Sequence, residues 1–209
     1  LVSYNFCEIV SYEVIRTNGD FVFKKPQMDY CSLCAPMGHV ATTMVFNAIN
    51  GINVIEDEYA TSYIEKTIKF INECKDENPG LFNQVFEGPP EKVYSALLMC
   101  NVSNAIMSGG ELKDHVFGIL NYLFNTGFLE GNSKRYLCYL MAVTYVKGMG
   151  VPQNYQYALE YLEQCVECES NSDSVALVRF NEDGMLEKYT TSIEPIVNSA
   201  KQLIAYLRK

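Results

Sequence analysis

The chain has 209 residues, of which 48% are hydrophobic and 20% charged, and this composition supports a folded core rather than a disordered segment. Its net charge is −9 and it has no dense lysine and arginine cluster, which argues against nucleic acid as a partner because phosphate binding needs a basic surface. No run of about 18 apolar residues is present, so no direct membrane insertion is predicted.

The first segment, about residues 1–37, contains Thr17-Asn-Gly-Asp20 between two apolar runs. Asn-Gly is a strong signal for a two-residue β-hairpin, and it is equally suitable as the end of a helix. We favour a helix that ends at Asn18, because the neighbouring segments have helical periodicity. Tyr30–Ala35 is then predicted to be the second helix of a degenerate pair.

Residues 38–74 predict a better helical hairpin. An apolar run is followed by a turn in which glycine and valine lie three residues apart, and an acidic residue precedes the second helix. The acidic run Glu56-Asp57-Glu58 is interpreted as a solvated first turn, favoured by the helix dipole, rather than as a metal or acid–base site. The predicted structural positions of this unit are Gly38, Ala41, Gly51, Val54, Asp57 and Ala60.

The next two segments are less regular. Residues 75–92 contain Asn78-Pro79-Gly80 and Gly88-Pro89-Pro90, and these motifs predict a loop inserted between helical units. Residues 93–130 are predicted to be a degenerate helix pair around Ser108-Gly109-Gly110.

The clearest unit spans residues 133–168. Two runs with helical spacing, Tyr136–Tyr145 and Tyr157–Cys165, flank a turn in which glycine can adopt the positive φ that ends a helix. Asn154 is a good N-cap, Val151 is predicted to be an apolar plug, and two small alanines let the helices approach closely. The predicted structural positions are Ala142, Tyr145, Gly148, Gly150, Val151, Asn154, Ala158 and Tyr161.

The last segment, about residues 173–208, is predicted to be a third degenerate pair. Val175–Phe180 is interpreted as a first helix that ends near Gly184, and Ile193–Leu207 as an amphipathic terminal helix. A helix array needs such an end piece to cover its last apolar face.

The unit at 133–168, with its Gly148-Met-Gly-Val151-Pro-Gln-Asn154 turn and Ala158-x-x-Tyr161, resembles the Sel-one-like repeat, a relative of the tetratricopeptide repeat. Gly38-His39 and Ala41 resemble the junction between consecutive units of that family. The resemblance implies an all-α fold, a single solenoid of stacked antiparallel helix hairpins over residues 1–209. Proteins of that family are typically adaptors, which implies a non-catalytic scaffold that binds other proteins within a larger assembly.

Eight cysteines occur at irregular spacing. Irregular spacing favours reduced, buried thiols and an intracellular location. The alternative is a secreted, disulfide-braced repeat protein that binds a host protein or a small ligand. Cys31, Cys34 and His39 are spaced like three zinc ligands, but the fourth position falls near Met44, so no metal or other cofactor is predicted.

Neither histidine has a partner motif for nucleophilic catalysis, so no enzymatic activity and no catalytic residue are predicted. The abundance of tyrosine, phenylalanine and methionine instead indicates that protein binding would use aromatic side chains.

Overall fold

The computed structural model describes residues 14–17, 20–23, 57–86, 88–170, 172–182 and 184–209. These residues form seven α-helices, one 3-10 helix and two two-stranded sheets. The strands are β1 Val14–Thr17, β2 Asp20–Phe23, β3 Ser174–Phe180 and β4 Leu186–Ser192. The helices are α1 Glu58–Glu77, α2 Pro79–Val85, α3 Pro90–Ser108, the 3-10 helix Glu111–His115, α4 Val116–Thr126, α5 Gly131–Lys147, α6 Tyr155–Glu167 and α7 Glu194–Leu207.

The chain divides into two compact units. The first comprises Leu1–Tyr94 and Val178–Lys188, and the second comprises Ser95–Leu177 and Tyr189–Lys209. In the first unit α1 packs against α2, and the ring of Phe70 lies 5.8 Å from that of Phe180. Each unit has its own buried residues, and the single domain over residues 1–209 stays a prediction.

The second unit is built around α5. Helix α4 packs on α5, α5 packs on α6, and α7 packs on both α5 and α6. Helices α5 and α6 are joined by a seven-residue turn and pack extensively on each other, as in a helix hairpin. One buried cluster lies between α5, α6 and α7, and its members are Cys138, Ala142, Ala158, Leu162, Cys165 and Ala200.

Polar side chains at the start of α5 hold the segment that follows α6. The buried amide of Asn132 donates to the carbonyl oxygens of Ser172 at 2.6 Å and Ser174 at 2.8 Å. Arg135 donates to the carbonyl oxygen of Cys168. These bonds satisfy carbonyl groups at the end of α6 and at the start of β3, which fixes the position of both elements.

The coarse prediction of a mostly helical chain is confirmed, but the two small sheets correct the all-α assignment. The predicted helix ending at Asn18 is wrong, because Val14–Thr17 pairs antiparallel with Asp20–Phe23 and Thr17 lies opposite Asp20. This is the Asn-Gly hairpin that the sequence offered as the alternative.

The predicted first helix at Val175–Phe180 is also wrong, since this segment is β3 and pairs with β4. Along β3, Val175 is buried, Ala176 exposed and Leu177 buried, which is the period of two of a strand. Gly184, with φ of +75°, lies in the turn to β4. The terminal helix is confirmed as α7.

The predicted loop at 75–92 is largely helical. Helix α1 extends to Glu77, and α2 begins directly after Asn78, whose side chain accepts a hydrogen bond from the backbone N–H of Leu81 at 3.1 Å. Pro79 occupies the first helical position, where its missing N–H costs nothing. The motif Asn-Pro-Gly therefore starts a helix instead of a loop.

Among the described residues, no helix combines the length and the apolar character that crossing a membrane requires.

Candidate protein-binding surface

The turn between α5 and α6 has the geometry that its sequence predicts. Gly148 ends α5 with φ of +66°, and Gly150 has φ of +71°. The side chain of Asn154 accepts a hydrogen bond from the backbone N–H of Tyr157 at 3.0 Å, which confirms it as the N-cap of α6. The buried residue of the turn is Met149, whereas Val151 is only half-buried, so the plug lies two residues earlier than predicted.

The two alanines of this hairpin are fully buried. Ala142 on α5 and Ala158 on α6 each have 0% exposure and belong to the same cluster. Their small side chains let the helices pack closely, as predicted, and the larger tyrosines are displaced to the side of the contact.

Those tyrosines form an aromatic surface with residues of α4. We define the aromatic surface as Phe124 of α4, Tyr145 of α5, and Tyr157 and Tyr161 of α6. Tyr145 stacks on Tyr161, with centroids 5.9 Å apart and an interplanar angle of 14°. The ring centroid of Tyr157 lies 5.4 Å from that of Tyr145. The ring of Phe124 packs edge-on against that of Tyr161, with centroids 5.3 Å apart. Offset stacking and edge-on contacts are the geometries that stabilise aromatic pairs.

The aromatic surface is partly open to solvent. Phe117 of α4 is buried and supports Tyr145 with an edge-on contact at 5.2 Å. Phe124, Tyr145 and Tyr161 are half-buried, and 49% of Tyr157 is exposed. The four rings therefore pack against one another above the buried ring of Phe117, and this packing restricts their side-chain freedom before a partner binds.

The tyrosine hydroxyl groups of the aromatic surface are available. Within the described part of the chain, the hydroxyl groups of Tyr145, Tyr157 and Tyr161 make no hydrogen bond to another residue. Burial raises the pKa of Tyr145, with a smaller effect of Tyr157 in the same direction. Burial likewise raises the pKa of Tyr161 to about 12, and Tyr145, Cys138, Glu160 and Tyr157 add to the effect. The hydroxyl groups of Tyr145 and Tyr161 are therefore neutral near pH 7 and can donate hydrogen bonds.

The unit at 38–74 is described only from Asp57 onward. Asp57 caps α1 by accepting from the backbone N–H of Ala60 at 2.9 Å, and Ala60 has 2% exposure. Tyr63 stacks on Tyr59 with centroids 6.5 Å apart. In α1 the capping residue Asp57 precedes the buried Ala60 by three residues. In α6 the capping residue Asn154 precedes the buried Ala158 by four, so the cap lies one residue closer to the buried alanine in α1. Gly38, Ala41, Gly51 and Val54 lie outside the described residues.

Cysteines contribute to the interior. Cys74, Cys100, Cys138 and Cys165 are buried thiols, and Cys168 is half-buried. Burial raises the pKa of Cys138 to about 12 and that of Cys165 to about 11. A raised pKa leaves a thiol protonated and unreactive.

The described residues hold no group of three or more histidine, cysteine, aspartate or glutamate side chains arranged for a metal ion. The predicted zinc-like set Cys31, Cys34 and His39 lies outside them.

The sequence did not identify Phe124 and Tyr157 as parts of the aromatic surface, nor Phe117 and Glu160 as its neighbours. The one available signal was Tyr157 four residues before Tyr161, which places both on one side of α6. Nothing in the sequence indicated that residues of α4 would lie beside them.

No protein family, no curated protein and no solved structure matches this chain.

Proposed function

We propose that the chain is a non-catalytic protein-binding scaffold with Sel-one-like helical repeats, and that it binds its partner through the aromatic surface. The observation that carries this proposal is the partly exposed set of four packed rings with three tyrosine hydroxyl groups that have no partner in the described chain. Tyrosine is enriched at the energetically important positions of protein interfaces, because it offers a rigid apolar ring and a polar end.

The packing of the hairpin supports a stacked arrangement. A β-carbon added at Gly150 would lie 2.6 Å from the carbonyl oxygen of Asp114 and 3.3 Å from the β-carbon of Phe117. The turn of the α5–α6 hairpin therefore contacts the end of the 3-10 helix and the first turn of α4. Helix α7 packs on α6 and α5. This packing among α4, α5, α6 and α7 supports a repeat-like stack, in which each unit is stabilised by its neighbours.

The proposal is tested by affinity purification of the tagged chain from its own source, with quantitative mass spectrometry of the proteins that purify with it. Wild type is compared with Tyr157→Ser and with Tyr206→Ser. Tyr206 lies on α7 outside the aromatic surface and is 71% exposed, so its substitution controls for the loss of an exposed tyrosine.

We expect a near-stoichiometric protein partner that purifies with wild type and Tyr206→Ser. It is depleted with Tyr157→Ser, because truncating a central interface tyrosine costs about 2 kcal/mol of binding. Circular dichroism of both variants checks that the fold is kept. A chain that purifies alone, or a partner that Tyr157→Ser retains in full, contradicts the proposal.

A further inference from the structure

The charges around the aromatic surface are divided between helices. Helix α4 has no charged residue, and the charged residues within α6 are all acidic. Among α4, α5 and α6, the positively charged residues are all on α5. Arg135 is used in hydrogen bonds to Asn132 and to the carbonyl oxygen of Cys168. The side of the aromatic surface that α6 provides is therefore anionic.

Glu160 and Glu167 of α6 have no ion pair among the described residues, and Glu160 is the one next to the aromatic surface. Glu160 is exposed, three residues after Tyr157 and adjacent to Tyr161, and accepts a hydrogen bond from the neutral amide of Gln156 at 3.3 Å. Within the described residues it has no ion pair. Glu163, three residues further along α6, instead forms an ion pair with Arg208, in which its Oε1 lies 2.5 Å from Nη2 of the guanidinium group. A carboxylate has about four acceptor positions, so Glu160 retains the capacity to bind a cation.

The neighbouring Tyr161 is affected by this carboxylate. Burial is the largest cause of the raised pKa of Tyr161, and the negative charge of Glu160 adds to it. The face of a tyrosine ring attracts ammonium and guanidinium groups, and this attraction is strengthened by a carboxylate beside it.

We infer that the aromatic surface binds a lysine or arginine side chain of a partner protein, with the cation beside the carboxylate of Glu160 and against the ring of Tyr157. This inference rests on the proposed function and specifies the chemistry of the partner. The anionic helix and the half-exposed ring of Tyr157 together select a basic segment over an acidic or a purely apolar one.

The test is a selection of random 12-residue peptides displayed on phage against the immobilised full chain. Parallel selections use Tyr157→Ser and Glu160→Gln. Peptides enriched on wild type alone are then synthesised with a fluorescein label, and their dissociation constants are measured by fluorescence anisotropy. Glu58→Gln is the matched control, since Glu58 is an exposed carboxylate at the start of α1 in the other unit.

We expect the enriched peptides to be rich in lysine or arginine. Glu160→Gln and Tyr157→Ser should each weaken binding by about fivefold, the size of an exposed cation–π or ionic contact. Tyr157→Phe, which keeps the ring, should stay within about twofold of wild type, and Glu58→Gln should have no effect. Raising the salt concentration should weaken binding to wild type more than binding to Glu160→Gln.

The inference is overturned if no peptide is enriched, if enriched peptides lack basic residues, or if Glu160→Gln leaves the affinity unchanged. The purification experiment reports on the scaffold separately. If a partner purifies in a Tyr157-dependent manner but the enriched peptides are not basic, only the inference about a basic segment is contradicted. If no partner depends on Tyr157, the scaffold proposal itself is contradicted.

Discussion

Replacement of Gly150 by alanine tests whether the hairpin turn is packed against the preceding helices as the structure has it. Gly150 has φ of +71°, and an alanine β-carbon would lie 2.6 Å from the carbonyl oxygen of Asp114. The left-handed backbone costs a residue with a β-carbon about 1 kcal/mol. Relief of the contact requires movement of the backbone and should cost about 1–3 kcal/mol more.

Alanine substitutions at two other glycines separate the cost of the left-handed backbone from the cost of the steric contact. Gly127 has φ of +68°, and no atom of the described residues lies within 4 Å of its added β-carbon. Gly148 has φ of +66°, and the nearest such atom lies at 3.6 Å. Alanine at either position should cost only the backbone contribution of about 1 kcal/mol. Gly150→Ala should cost about 2–4 kcal/mol in total.

The assay is urea-induced unfolding followed by circular dichroism at 222 nm, with the three single variants and wild type measured side by side. The expected order of destabilisation is Gly150→Ala well above Gly148→Ala and Gly127→Ala. If Gly150→Ala is no more destabilising than Gly127→Ala, the turn does not contact Asp114 and the stacking argument fails.

Three further predictions concern the cap, the tyrosines and the thiols. Asn154→Ala should destabilise the protein by about 1 kcal/mol through loss of the α6 cap, whereas the exposed Gln156→Ala should be near neutral; equal effects in urea unfolding would contradict this. In a titration followed by phenolate absorbance, the curve of wild type minus that of Tyr161→Phe should have its midpoint near pH 12. A midpoint at pH 10 would show that burial does not raise the pKa of Tyr161. Because the folded state raises this pKa from 10.0, the contribution of Tyr161 to stability is complete below pH 10 and is lost as pH rises through about 12. Cys168→Ser should remove one fast-reacting thiol from the native protein, whereas Cys165→Ser should leave the fast count unchanged, as measured with a chromogenic disulfide reagent.

The α5–α6 hairpin could be read from the sequence because its determinants are local. The positive φ of Gly148 and Gly150 and the cap at Asn154 depend on a few adjacent residues. The buried side of α6 follows from Ala158, Leu162 and Cys165 at helical spacing.

The two strand pairs were missed for different reasons. At Asn18-Gly19 the sequence allows both a helix end and a hairpin, and the structure has a hairpin. At β3, the run Val175–Phe180 is short and apolar, and such a run has no period that separates a strand from a buried helix. Its pairing with β4 across the turn at Gly184 makes it a strand.

The sequence by itself determined the helical character of most of the described chain, the glycine turn between α5 and α6, the cap of α6 and the alanines at its contact. Only the tertiary structure decided that Phe117 and Phe124 lie beside Tyr145 and Tyr161. It also decided that, among the residues described, Glu160 has no ion pair whereas Glu163 is bound by Arg208. The reason is that caps and turns depend on neighbours within a few residues. The aromatic surface and its charge depend instead on side chains from different helices, and the sequence does not specify their distances.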